Sequence, residues 1–227
     1  MKRGIRLINY LFLAASPVMA ALYYRIGGLP MKAASAAVFA LLGLINSAYA
    51  VKMRRYNPVY MLLALLLCMT ADIVLGYSFL AGAGIFALGH VLFFIAFSRM
   101  EKLKWGDLLP GLILFIPAAL WLITDKRFRF RPAAMEYVCI GYALVISLMM
   151  GKATANLLRN RNAAYLLLTL GCGLFVVSDI MLVLHVFGRG PRWTDTVCLF
   201  TYFPGQCITA HAMMHLAEGR NRTAEKR

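Results

Sequence analysis

Apolar runs about as long as a bilayer is thick, separated by short clusters of turn residues and charges, recur along nearly the whole 227-residue chain. They predict helices over 5–24, 32–51, 58–76, 79–97, 108–124, 133–151, 163–187 and 196–216. A span of about twenty apolar residues crosses the hydrocarbon as a helix, the one open segment that satisfies all of its own backbone amides there. The expected fold class is therefore all-α: a polytopic membrane helical bundle of eight transmembrane helices. Residues 1–217 form one transmembrane domain, and 218–227 form a basic tail with too few apolar residues to fold. Only Tyr77-Ser78 separates the third and fourth runs, which makes them an antiparallel hairpin. The fifth run is the shortest, and Pro110 and Pro117 are placed to bend it.

Composition agrees with lipid rather than water as the solvent. Hydrophobic residues make up 62% and charged residues 15%, whereas a soluble domain runs nearer half and a quarter. The net charge of +15 would suit a nucleic acid, but Lys and Arg cluster between the apolar runs, as membrane loops do. Nucleic-acid binding is set aside on that ground. With the N-terminus in the cytoplasm, sixteen Lys and Arg fall on inner segments and eight on outer ones. Both ends are thus expected inside, in the cell (inner) membrane of a bacterium, although the basic loop 125–131 runs against the bias. The stretch from Lys2 to Val18-Met19-Ala20 imitates a signal peptide. Its apolar run continues to Tyr24, which favours an uncleaved first span. On the cytoplasmic side Asn221-Arg222-Thr223 is no glycosylation site.

Ionisable residues inside spans are costly and mark pathways or reactions. Asp72 in span three and Asp179 in span seven sit in matching Asp-Ile-x-Leu contexts, with Thr70 and Ser178 just before them. Counting from the inner edge at 1.5 Å per residue, each lies roughly 21–24 Å up, so the two carboxyls share one level toward the outer surface. Glu136, Tyr202, Gln206 and His90 come down from the outer side toward that level and form a wall around them. The bland alternatives are helix–helix hydrogen bonds or pairing with an Arg. Metal is not expected. His211 and His215 share a helix face, but they lie near the inner surface, while His185 lies near the outer one. The five cysteines stand singly in apolar runs and read as small buried residues. Ala81, Gly82, Ala83, Gly84, Ala87, Gly89, Gly171 and Gly173 read as places of close helix approach.

The two Asp-Ile-x-Leu segments lie four spans apart in the same direction, as a parallel four-plus-four duplication would place them. The segments around them resemble the YhhN-like lysoplasmalogenase family of eight-span membrane proteins. The resemblance is carried by Asp72-Ile73-Val74-Leu75-Gly76 with Phe79, Gly82, Gly84 and Phe86, by Gly89-His90-Val91-Leu92-Phe93-Phe94, and by Met149 and Ala153. Gly173-Leu174-Phe175-Val176-Val177-Ser178-Asp179 and Tyr202-Phe203-Pro204-Gly205-Gln206-Cys207-Ile208 complete it. Phe94, where that family often has Tyr, and Glu136 depart from the pattern.

The resemblance implies hydrolysis of the vinyl ether bond of a lysoplasmalogen, with a lysophospholipid as substrate and no metal or organic cofactor. Two carboxyls suit that chemistry, because one must protonate the alkene and the other can stabilise the resulting oxocarbenium ion, as in glycosidases. Asp72 and Asp179 are then the catalytic pair, oriented by His90 and Ser178, with Tyr202 and Gln206 lining the pocket. Arg189 and Arg192 would receive the phosphate. A proton-coupled transporter and a non-catalytic lipid-binding protein remain as alternatives. Head group, chain length and oligomeric state are not legible.

Overall fold

A computed structural model describes residues 2–54 and 56–219. The described residues form eight long helices: α1 (Lys2–Ile26), α2 (Leu29–Met53), α3 (Val59–Leu75), α4 (Phe79–Met100), α5 (Leu109–Thr124), α6 (Ala134–Asn160), α7 (Ala163–Val186) and α8 (Trp193–Gly219). A 3₁₀ turn, Trp105–Asp107, precedes α5, and no strand occurs among the described residues. Six helices are long and apolar enough to cross a membrane: α1, α2, α4, α5 with its leading turn, α6 and α7. α3 is apolar but only 17 residues long, and α8 carries Gln206, His211 and His215 along its 27 residues. The chain is a multi-pass membrane protein.

Six helices close into a ring in the order α2, α3, α4, α6, α7, α8 and back to α2, each packed on the next. α1 lies outside against α2 and α8, and α5 lies outside against α6. Exchanging α2, α3 and α4 with α6, α7 and α8 leaves the order of the ring unchanged. That is the arrangement a parallel four-plus-four duplication gives. It is imperfect at the periphery, since α1 touches two ring helices and α5 touches one. The interior of the ring is filled by aromatic and Met side chains, among them Phe86, Phe93, Phe97, Met149, Phe175, Tyr202 and Phe203.

The tight hairpin is as expected. Ser78 caps α4, its hydroxyl accepting from the Ala81 amide at 3.3 Å. Gly82 then lets α4 approach α3, where a Cβ would stand 2.7 Å from the Leu75 Cα. Gly171 and Gly205 bring α7 and α8 together in the same way. Gly84 departs from expectation: it faces open space, with nothing within 4 Å of an added Cβ.

Helix ends differ from the apolar runs in two places. α6 continues past the apolar run to Asn160, so Lys152 and Arg159 are helical rather than loop charges. The fully buried Lys152 donates to Asp107 Oδ2 at 2.7 Å, and Arg159 pairs with the other oxygen of Asp107. These bonds extend α6 beyond its hydrophobic stretch and tie the α4–α5 connection to it. α8 runs to Gly219, past the expected start of the tail, and residues 220–227, sequon included, lie outside the described residues.

At the inner end α1, α2 and α8 are joined by side-chain amides. Asn9 and Asn46 exchange hydrogen bonds at 2.9 and 2.8 Å, and Asn46 also donates to the Ala210 carbonyl. His211 Nδ1 lies 2.9 Å from Asn9 Oδ1. Its spacing with His215 thus serves helix packing.

The Gly82→Ala variant should lose about 1–3 kcal/mol of stability, because the contact is with backbone and the hairpin must open. Thermal unfolding in detergent checks this, with Gly84→Ala, whose methyl meets nothing, expected to match the parent.

Candidate active site

The ring brings both aspartates to one aromatic core, each facing polar side chains from two other helices of the ring. Asp72, on α3, is buried. Tyr202 of α8 donates to its Oδ2 at 2.5 Å, and Lys32 of α2 lies 3.4 Å from its Oδ1. Lys32 stands in the first turn of α2, and its long apolar stem lets the ammonium reach inward from the helix end.

Asp179, on α7, has a different set of neighbours. Tyr142 of α6 donates to its Oδ2 at 2.8 Å. His90 of α4 lies 2.8 Å from the Tyr142 oxygen through Nε2, and 3.9 Å from Asp179 Oδ2. Since the Tyr142 hydroxyl gives its proton to Asp179, Nε2 is the nitrogen that must donate, and His90 Nδ1 then accepts. Nδ1 is buried and has no partner among the described residues. The result is a chain of donors running His90, Tyr142, Asp179.

Phe175 links the two halves. Its ring meets His90 edge-on at 4.5 Å and Tyr202 at 5.2 Å between centroids, and Phe86 packs on Phe175 and Tyr202 at 6.0 and 5.9 Å. The side chain of Asp72 is 3% exposed, whereas that of Asp179 keeps 16%. Asp179 and Tyr142 open onto a narrow cleft of about 40 Å³, lined otherwise by apolar residues of α3, α4, α6 and α7 such as Leu75, Phe86, Val138 and Val183. Phe79, itself part of the lining, packs with Phe130 on Phe187, and Phe128 stacks on Phe130.

The other expected site residues are placed less uniformly. Ser178 is buried but pairs with Cys198 of α8 at 3.3 Å, not with either carboxyl. Gln206 is buried one turn inward of Tyr202, without a bond to the aspartates. Glu136 is half-buried near the start of α6, and Arg189 and Arg192 are exposed at the α7–α8 connection. Lys32 and Tyr142 are site residues that the sequence reading did not single out. Among the described residues no three of His, Cys, Asp and Glu group as metal ligands.

A family model for the YhhN family matches residues 28–213. The chain belongs to the YhhN family. The match takes in the ring, α8 as far as residue 213, and leaves out the whole of α1, so the family core coincides with the part that builds the site. No curated protein and no solved structure matches the chain.

Removing the Tyr142 hydroxyl strands both His90 and Asp179, so Tyr142→Phe should destabilise the fold by about 1 kcal/mol, the usual worth of a hydrogen bond between membrane helices. Tyr137→Phe, at a position 77% exposed on the same helix, should leave detergent unfolding unchanged.

Proposed function

We propose that this YhhN-family chain is a membrane-embedded hydrolase that cleaves the vinyl ether bond of lysoplasmalogens to a fatty aldehyde and a glycerophospho-alcohol. The observation that carries the reading is the pair of carboxyls flanking one aromatic core, one of them open to an apolar cleft.

The chemistry follows from what a vinyl ether needs. Proton transfer to the outer alkene carbon breaks the π bond and leaves an oxocarbenium ion. Water adds to that cation and loses a proton, and the hemiacetal collapses to aldehyde and alcohol, so one water is consumed. A carboxylic acid supplies the first proton, a carboxylate balances the cation and takes a proton from water, and the cycle returns both to their starting states. The apolar lining of the cleft matches the chemistry of an alkenyl group brought to Asp179, and the Phe86 ring offers a π face to a developing cation there. When the hemiacetal collapses, the carboxyl that took the proton from water protonates the departing oxygen and the spent acid takes the hemiacetal hydroxyl proton, which restores both.

A second reading, proton-coupled transport, draws support from one feature. At the opposite end of the ring lies a cavity of about 990 Å³ lined by Lys2, Arg99, Tyr60, Glu101 and His215, so polar openings exist at one end and acids near the other.

Purified protein in detergent, supplied with a lysoplasmalogen, should release aldehyde, and Asp179→Asn or Asp72→Asn should cut the rate at least about 100-fold. Aldehyde release that persists in the double variant removes the hydrolase mechanism. Substrate flux into proteoliposomes without aldehyde would establish the transporter instead.

A further inference from the structure

The two aspartates are alike in sequence context and unlike in what surrounds them. Facing Asp72 are the Lys32 ammonium from α2, the Tyr202 hydroxyl from α8 and, farther off, Tyr23 from α1, with Cys68 on its own helix. Facing Asp179 are the Tyr142 hydroxyl from α6, the His90 ring from α4, the Cys68 thiol from α3, the Cys198 thiol and Tyr202 hydroxyl from α8 and the other carboxyl, Asp72, across the core. One has a cation within ion-pair distance; the other, among the described residues, has only neutral donors and a second acid.

From this difference we infer that the pair is divided by Lys32: Asp72 is the standing carboxylate that stabilises the cation and activates water, and Asp179 is the proton donor. The inference rests on the hydrolase reading and goes beyond it by assigning the roles. A carboxylate in an apolar interior needs a counter-charge, which Lys32 gives to Asp72 alone. Position agrees with charge. Asp179 is the carboxyl that reaches the cleft, where a donor must touch the alkene, and among the described residues its Oδ1 has no hydrogen-bond partner while Oδ2 accepts from Tyr142. A proton on Oδ1 is the one free to leave. Lys32 touches no reacting atom and is a positioning residue that acts through Asp72.

The two assignments predict opposite pH behaviour. With Asp72 as carboxylate, the acidic limb of the activity profile reports its protonation and the alkaline limb reports loss of the Asp179 proton. Replacing Lys32 removes the charge that favours the Asp72 carboxylate, so Lys32→Met should move the acidic limb upward by about one to three pH units, leave the alkaline limb in place, and be corrected by Lys32→Arg. An upward move of the alkaline limb would mean that Asp72 is the donor. A loss of amplitude with both limbs unmoved would mean that Lys32 is only structural. Either result overturns the assignment.

A second measurement needs neither turnover nor a folded Lys32 variant. Infrared spectra of the purified protein at pH 7 should contain a protonated-carboxyl band that Asp179→Asn removes and Asp72→Asn leaves. The reverse pattern, or removal by neither variant, refutes the division of roles. Should the wild type release no aldehyde while the band behaves as stated, the hydrolase reading fails and the charge division stands.

Discussion

Polar groups inside this bundle depend on one another for partners, because hydrocarbon offers none. That constraint organises the structure more than the apolar residues do. Apolar side chains gain little by choosing helices over lipid, so helix order is fixed by polar bonds and by close backbone approach at small residues. Asn9, Asn46 and His211 hold α1 against α2 and α8 at the inner end. Lys152 and Arg159 hold the α4–α5 connection through Asp107. At the other level Lys32, Asp72 and Tyr202 join α2, α3 and α8, while His90, Tyr142 and Asp179 join α4, α6 and α7. The two acid clusters are thus also the joints of the ring, and any change there acts on folding and chemistry together.

Helix number and the hairpin at Tyr77-Ser78 were legible because run length and turn residues are local properties. Asp72 and Asp179 were legible for the opposite reason, as residues that contradict their surroundings. Lys32 was hidden by its position: at the start of an apolar run a lysine reads as a loop charge, and only the fold shows its ammonium turned toward α3. Tyr142 was hidden by its type, since tyrosine is at home in apolar runs and its hydroxyl gains meaning from Asp179 and His90, 37 and 52 positions away. Arg159 and Lys152 ended the apolar pattern and therefore looked like the end of a helix, which their bonds to Asp107 instead prolong. Ser178 shows the converse. Adjacency to Asp179 in sequence put it on another side of the helix, against Cys198.

The ring has a property beyond packing. Each acid takes one partner from the preceding helix of its own four-helix set and one from the other set: Lys32 of α2 and Tyr202 of α8 for Asp72, Tyr142 of α6 and, through it, His90 of α4 for Asp179. Neither half of the chain contains both partners of its own acid. The site therefore exists only when the halves are assembled, and the aromatic cluster of Phe86, Phe175 and Tyr202, drawn from both halves, sits on the seam.

The same arrangement would arise if two identical four-helix subunits met about a two-fold axis normal to the membrane. In such a homodimer both acids would be obliged to carry equivalent neighbours, and an ammonium beside one would be an ammonium beside the other. Covalent continuity lifts that obligation. Within one chain the two four-helix sets are free to differ, so that a lysine stands at one carboxyl and a tyrosine–histidine chain at the other.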